Sequence, residues 1–155
     1  MGQILPHLPV TCLIDIAKMK YKHIQTPSSI IVRMPNWIGD AVMATPILID
    51  LKKAYPNAHI TAMCQGNIGD LFQADPSVDA IFKFQRPKDL FRRLSERSIL
   101  STLKNGKYDL GILLTNSFSS AWRFFQGNIT QVIGFKGNFR RHLLTYPIPF
   151  PAMRS

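Results

Sequence analysis

Two short polar segments hold residue types that could do chemistry: Pro35-Asn36-Trp37-Ile38-Gly39-Asp40 and Thr115-Asn116-Ser117-Phe118-Ser119-Ser120. In the first, a carboxylate follows a glycine where an apolar, helix-spaced stretch begins. Aspartate at a helix start caps free N–H groups and complements the dipole. An ionised carboxylate in that setting can also accept a proton from a sugar hydroxyl. The two roles are compatible, and position alone favours the cap. Gly39 permits a tight turn or a close approach of backbone to ligand. In the second segment, hydroxyls and an amide precede another helical pattern. Capping is the plain expectation for them, and such a helix start also suits a phosphate or carboxylate. Gly134 to Arg141 then gathers Lys136, Arg140 and Arg141. They make either a solvated basic loop or an arginine pair shaped for carboxylate and phosphate groups.

Other chemistries lack their residues. No G-x-G-x-x-G follows a strand pattern and there is no Walker A segment, so a nucleotide site here is poorly supported. No two aspartates are separated by one residue, which leaves a metal-held sugar nucleotide without evident ligands. His7, His23, His59 and His142 are scattered and read as ordinary histidines rather than zinc ligands. Cys12 and Cys64 make neither a metal-type cluster nor a disulfide framework, and read as two reduced thiols. The expectation is no metal and no cofactor.

The chain of 155 residues is long enough for one domain with a core, and its 46% hydrophobic content is that of a folded protein. Its 19 Lys and Arg against 9 Asp and Glu give a net charge of +10. No acidic residue follows Asp109. Such a surface attracts polyanions, whether nucleic acid, anionic membrane or phosphorylated substrate. No segment has the apolar length of a membrane span. The N-terminus lacks a basic leading region, and Pro9 and Asp15 interrupt its apolar run, unlike a signal peptide. A cytoplasmic protein is expected, with any membrane contact peripheral.

These residues need elements to hold them. Residues 1–29, punctuated by prolines, read as a loosely held extension in which Leu13 to Lys22 could lie on an anionic membrane surface. From Ser29 a rhythm begins. Strands are predicted over Ile30–Met34, His59–Cys64, Val78–Phe84, Tyr108–Leu114 and Gln131–Phe135. Helices are predicted over Asp40–Ala54, Gly66–Ala74, Pro87–Lys104 and Asn116–Phe125. Pro46 is a blemish tolerable near a helix start. The basic helix would pack through Leu90, Phe91, Leu94, Ile99, Leu100 and Leu103, with Asn105-Gly106 as its cap. The tail from Leu143 reads as extended. Alternating strands and helices predict an α/β fold, a Rossmann-like parallel sheet covered by helices on both faces. Ligands then bind beyond the C-terminal ends of the strands, where both polar segments fall.

At these segments the sequence resembles a known family. Pro35 through Pro46, PNWIGDAVMATP, resembles the opening motif of the ADP-heptose:lipopolysaccharide heptosyltransferases of glycosyltransferase family 9, heptosyltransferase II in particular. Tyr108-Asp109, the run Leu113 to Phe118, Phe124-Phe125, Gly134-Phe135 and Gly137 through Arg141 resemble later parts of that pattern. The resemblance covers about residues 30–150. It implies the N-terminal, acceptor-side domain of a two-domain GT-B glycosyltransferase, over residues 30–150. Transfer would be inverting, from ADP-heptose as donor substrate to the lipopolysaccharide inner core at the cytoplasmic face of the inner membrane. By resemblance Asp40 is the catalytic base. Asn36, Trp37, Gly39, Asn116, Ser117, Arg140 and Arg141 are the expected acceptor-binding residues. The pattern continues into an ADP-heptose-binding domain that is absent before the chain ends at Ser155. The expectation is therefore a half that is inactive alone, from a truncated product or a split enzyme with a separate C-terminal partner. The alternatives are a non-catalytic remnant that binds anionic glycolipid and, suggested by charge alone, a nucleic-acid-binding protein. The latter lacks any helix-turn-helix, zinc-finger or RNP signature.

Overall fold

The computed structural model describes residues 25–85, 92–115, 117–135 and 141–148. Five short runs of mostly apolar residues form strands: β1 (Ser29–Arg33), β2 (His59–Gln65), β3 (Ala80–Phe84), β4 (Leu110–Leu113) and β5 (Gln131–Phe135). A sixth, β6 (Tyr146–Ile148), was not predicted. It is three residues long and contains Pro147, a composition that hides a strand but suits a sheet edge, where a missing N–H costs no ladder bond. All strands run parallel in the order β3-β2-β1-β4-β5-β6. β1 and β4 lie side by side, with Arg33 opposite Leu113. Chain order reverses between them, which is where a doubly wound sheet opens a crevice.

Burial on both faces explains the unbroken apolar character of the central strands. Ile30, Val32 and Met34 pack toward α1 (Ile38–Met43), α2 (Thr45–Ala54) and the 3₁₀ helix Gly66–Phe72, through Ala41, Leu48, Leu51, Ile68 and Phe72. Ile31, Met63, Phe84 and Leu113 pack on the other face against α3 (Arg92–Gly106) and α4 (Phe118–Gln126), through Ile99, Leu103, Ala121 and Phe124. Phe124 lies against β4 because Gly111 has no side chain. A Cβ there would stand 2.7 Å from the Phe124 ring. The α/β expectation, a parallel sheet with helices on both faces, therefore holds.

Three local expectations are corrected. The helix read as Asp40–Ala54 is two helices that meet at Ala44, and Pro46 stands in the first turn of the second. Proline cannot supply an interior N–H, so it starts a helix instead of continuing one. Leu94 was assigned to the apolar side of α3 but is 63% exposed. It is nine residues from the fully buried Leu103, about 180° around the helix at 3.6 residues per turn. Leu90 and Phe91 lie outside the described residues. Gly106 is the last residue of α3, not its cap; the left-handed position is taken by Lys107, at φ 48°.

The N-terminal ends of the strands are clamped by carboxylates. Asp109, just before β4, accepts from Ser28 N (2.8 Å), Ser28 Oγ (2.5 Å) and Ser29 N (3.2 Å). Asp79 accepts from Ile60 N at 2.8 Å and pairs with Lys52 at 2.9 Å. Hydrogen bonds to the Ser28 side chain and backbone hold the Asp109 carboxyl below its usual range, and the Ile60 N–H, then Lys52, do so for Asp79.

Candidate active site

The segment Pro35–Asp40 leaves the C-terminal end of β1 and runs into α1. Trp37 is the N-cap, with extended backbone (φ −107°, ψ 138°) and no side-chain cap bond. Ile38 and Gly39 begin the helix and Asp40 is its third residue. The capping expectation for Asp40 is thereby corrected. The carboxylate sits one turn too late to cap and makes no hydrogen bond or ion pair with a described residue. It remains in the first turn, where a negative charge suits the dipole. It is half-buried, between the buried Ala41 and the exposed Gly39.

Gly39 needs no special backbone, contrary to the tight-turn reading, since it is helical. What stands is space: a Cβ built there meets nothing within 4 Å. Trp37 is 58% exposed and Ile38 65%. An exposed indole one turn from a carboxylate that has no partner among the described residues offers an apolar face and a proton acceptor on one short segment. Asn36 is exposed, and its Oδ1 accepts from Arg33 Nη2 at 2.7 Å.

The second segment leaves β4, the neighbour of β1. Leu114 N donates to Arg33 O at 3.1 Å, so both loops start side by side at the C-terminal ends of neighbouring strands. Ser117 is the N-cap of α4 and accepts from Ser120 N at 3.3 Å. Thr115 Oγ1 donates to Ser120 Oγ at 2.8 Å, and that hydroxyl donates to Ser117 O at 2.9 Å. Ser117 thus has the capping role that its position foretold. Asn116 lies outside the described residues.

The basic segment is less informative. Lys136 and Arg140 lie outside the described residues, and so does the side chain of Arg141. The Arg141 backbone opens a 3₁₀ helix, Arg141–Leu143, that packs on α4. Four residues on, Thr145 Oγ1 accepts from Val132 N at 3.0 Å, near the N-terminal end of β5.

Arg33 was passed over as a strand residue. It is 4% exposed at the end of β1, its guanidinium 4.7 Å from the centre of the Phe84 ring. A lone cation in the run Ser29-Ile30-Ile31-Val32-Arg33 was the signal that could have found it.

The glycosyltransferase family 9 (heptosyltransferase) model matches residues 96–151. Lipooligosaccharide heptosyltransferase 2 of Haemophilus ducreyi is 34% identical over 115 residues, 74% of this chain and 33% of that protein. The chain is related to glycosyltransferase family 9. Lipopolysaccharide heptosyltransferase 2 of Salmonella typhimurium is 30% identical over 115 residues, again 74% of this chain and 33% of the relative. The structure of ADP-heptose LPS heptosyltransferase II of E. coli superposes with a TM-score of 0.65 at 28% identity, over 75% of this chain and 33% of that one. A family 9 glycosyltransferase from Veillonella parvula shares the fold, with a TM-score of 0.72 at 19% identity over 81% and 36% of the two chains. The chain spans about a third of the length of the curated family 9 relatives it matches. No helix among the described residues is long and apolar enough to cross a membrane.

Proposed function

We propose that this chain is the acceptor-side part of an inverting heptosyltransferase that moves heptose from ADP-heptose to the lipopolysaccharide inner core, with Asp40 as the base. One observation carries the reading: Asp40 carries a carboxylate with no partner among the described residues, near the β1–β4 switch point, in a segment that resembles the opening motif of the heptosyltransferases. A sugar hydroxyl is too weak an acid to be deprotonated outright by a carboxylate. Asp40 takes the proton late, as the acceptor oxygen bonds to the anomeric carbon and the bond from that carbon to the ADP phosphate breaks. Base catalysis of this kind is worth about 10²–10⁴-fold.

Acceptor binding is assigned to Asn36, Trp37, Gly39 and Ser117, together with Asn116, Arg140 and Arg141. The excess of cations after Asp109 complements an acceptor rich in phosphate and carboxylate groups. Donor binding is assigned to the part of such a protein that this chain does not match. The chain would work at the cytoplasmic face of the inner membrane, in peripheral contact with it.

Titrating the ¹⁵N-labelled chain with heptosylated inner-core oligosaccharide tests the reading. The expected result is saturable shifts at Trp37, Gly39 and Asp40, with no comparable response to duplex DNA at moderate salt. Shifts confined to other surfaces, or binding to DNA alone, contradict it.

A further inference from the structure

Arg33 is the one charged residue of β1, and the strand buries it. Alternation along the strand turns it to the face lined by Ile31, Met63, Phe84 and Leu113. A buried cation is costly unless it is paired, yet no acidic side chain pairs with it among the described residues. Glu96, on the helix packed against that face, is held by Arg123 through two bonds of 3.1 and 2.5 Å. Arg123 lies over the same Phe84 ring, at 5.6 Å. Burial, then the like charge of Arg123, push the Arg33 pKa down to about 10, so it stays cationic at neutral pH.

The guanidinium directs its donors along the chain instead. Nη1 donates to Met34 O at 2.5 Å and Nη2 to Asn36 Oδ1 at 2.7 Å, while Nε has no hydrogen-bond partner among the described residues. Leucine or valine would fill this site without the desolvation cost. Neither could hold a carbonyl and an amide oxygen at once, as the planar arginine fork does.

We infer that Arg33 is a positioning residue, whose guanidinium ties Met34 O and Asn36 Oδ1 together and so fixes the Pro35–Trp37 turn from which α1 and Asp40 start. Its consequence for catalysis rests on the reading of Asp40 as the base; its hold on the turn does not. The α1 amide of Ala41 donates to Trp37 O at 2.9 Å and reports whether that turn is held.

The test is amide exchange in the full chain for Asn36→Ala, Arg33→Met, Arg33→Lys and the double variant Arg33→Met/Asn36→Ala. In Asn36→Ala and Arg33→Met, the Ala41 amide is expected to exchange about ten-fold faster or more than global stability accounts for, the loss of one charge-assisted hydrogen bond. The double variant exceeds neither single by much, because the two groups act as one link. Arg33→Lys falls between wild type and Arg33→Met. Wild-type exchange at Ala41 in Asn36→Ala, or single effects that add fully, overturn the inference. Asn36 is exposed, so its variant serves even if Arg33→Met does not fold. Inner-core oligosaccharide is titrated into Arg33→Lys in parallel. Faster Ala41 exchange with weaker binding supports both readings, whereas faster exchange with unchanged affinity supports the positioning role and counts against the acceptor site.

Discussion

Replacing Asp109 with alanine separates scaffold from site. Asp109 belongs to the sequence block that resembles the heptosyltransferases, so sequence likeness alone would make it a functional residue. The structure puts it at the N-terminal ends of the strands, away from that site, joining the start of β4 to Ser28 and Ser29 at the start of β1. A hydrogen bond to a charged group contributes about 1.5–3 kcal/mol when well shielded. Two of the three bonds here are exposed to solvent, and exposure reduces charge interactions. The expected cost of Asp109→Ala is therefore about 2–3 kcal/mol, near the value of a single shielded bond. The sign with pH follows from the lowered folded pKa. A depressed carboxyl contributes stability that is fully present above its unfolded pKa of about 3.9 and is lost as pH falls through the folded value. Urea denaturation of both proteins, in a series from pH 7 downward, should show a constant difference above about pH 5 that shrinks below about pH 4. Affinity for inner-core oligosaccharide should stay within about two-fold of wild type, since 1.4 kcal/mol is needed for ten-fold. A stability difference independent of pH, or a collapse of acceptor affinity in the folded variant, would refute the reasoning.

Two further substitutions probe the site and the fold. Gly39→Ala adds a methyl group where nothing lies within 4 Å and improves helix propensity by up to about 1 kcal/mol. Thermal melting should show equal or greater stability while acceptor affinity falls, because the open face is filled. Lys107→Gly should stabilise the domain by about 1 kcal/mol in urea titration, since Lys107 holds φ 48° against steric cost.

The fold was largely legible because its central strands are unbroken apolar runs between turn residues. Gln131–Phe135 was placed to the residue. Helix limits failed where one residue overrode a pattern, as Pro46 did by starting a second helix inside a continuous apolar period. β6 was missed because three residues with a proline carry no periodic signal. Around Asp40 the sequence announced a helix start, but the capping geometry was not legible. A capping carboxylate and one three residues further into the helix look alike in sequence, and only backbone angles separate them. Arg33 escaped notice because its role depends on Asn36 turning back toward the strand end, a contact that the residue types do not announce.

The central claim is that Asp40 accepts the acceptor's proton, and it is tested most directly in a chimera. This chain would replace the matched third of the Haemophilus ducreyi relative, and heptose transfer from ADP-heptose would be followed with and without Asp40→Asn. The account predicts transfer by the parent chimera. It also predicts a kcat about 10²–10⁴-fold lower in the variant, with acceptor affinity little changed. A variant that transfers within a few-fold of the parent, or that loses activity only through weaker acceptor binding, would contradict it.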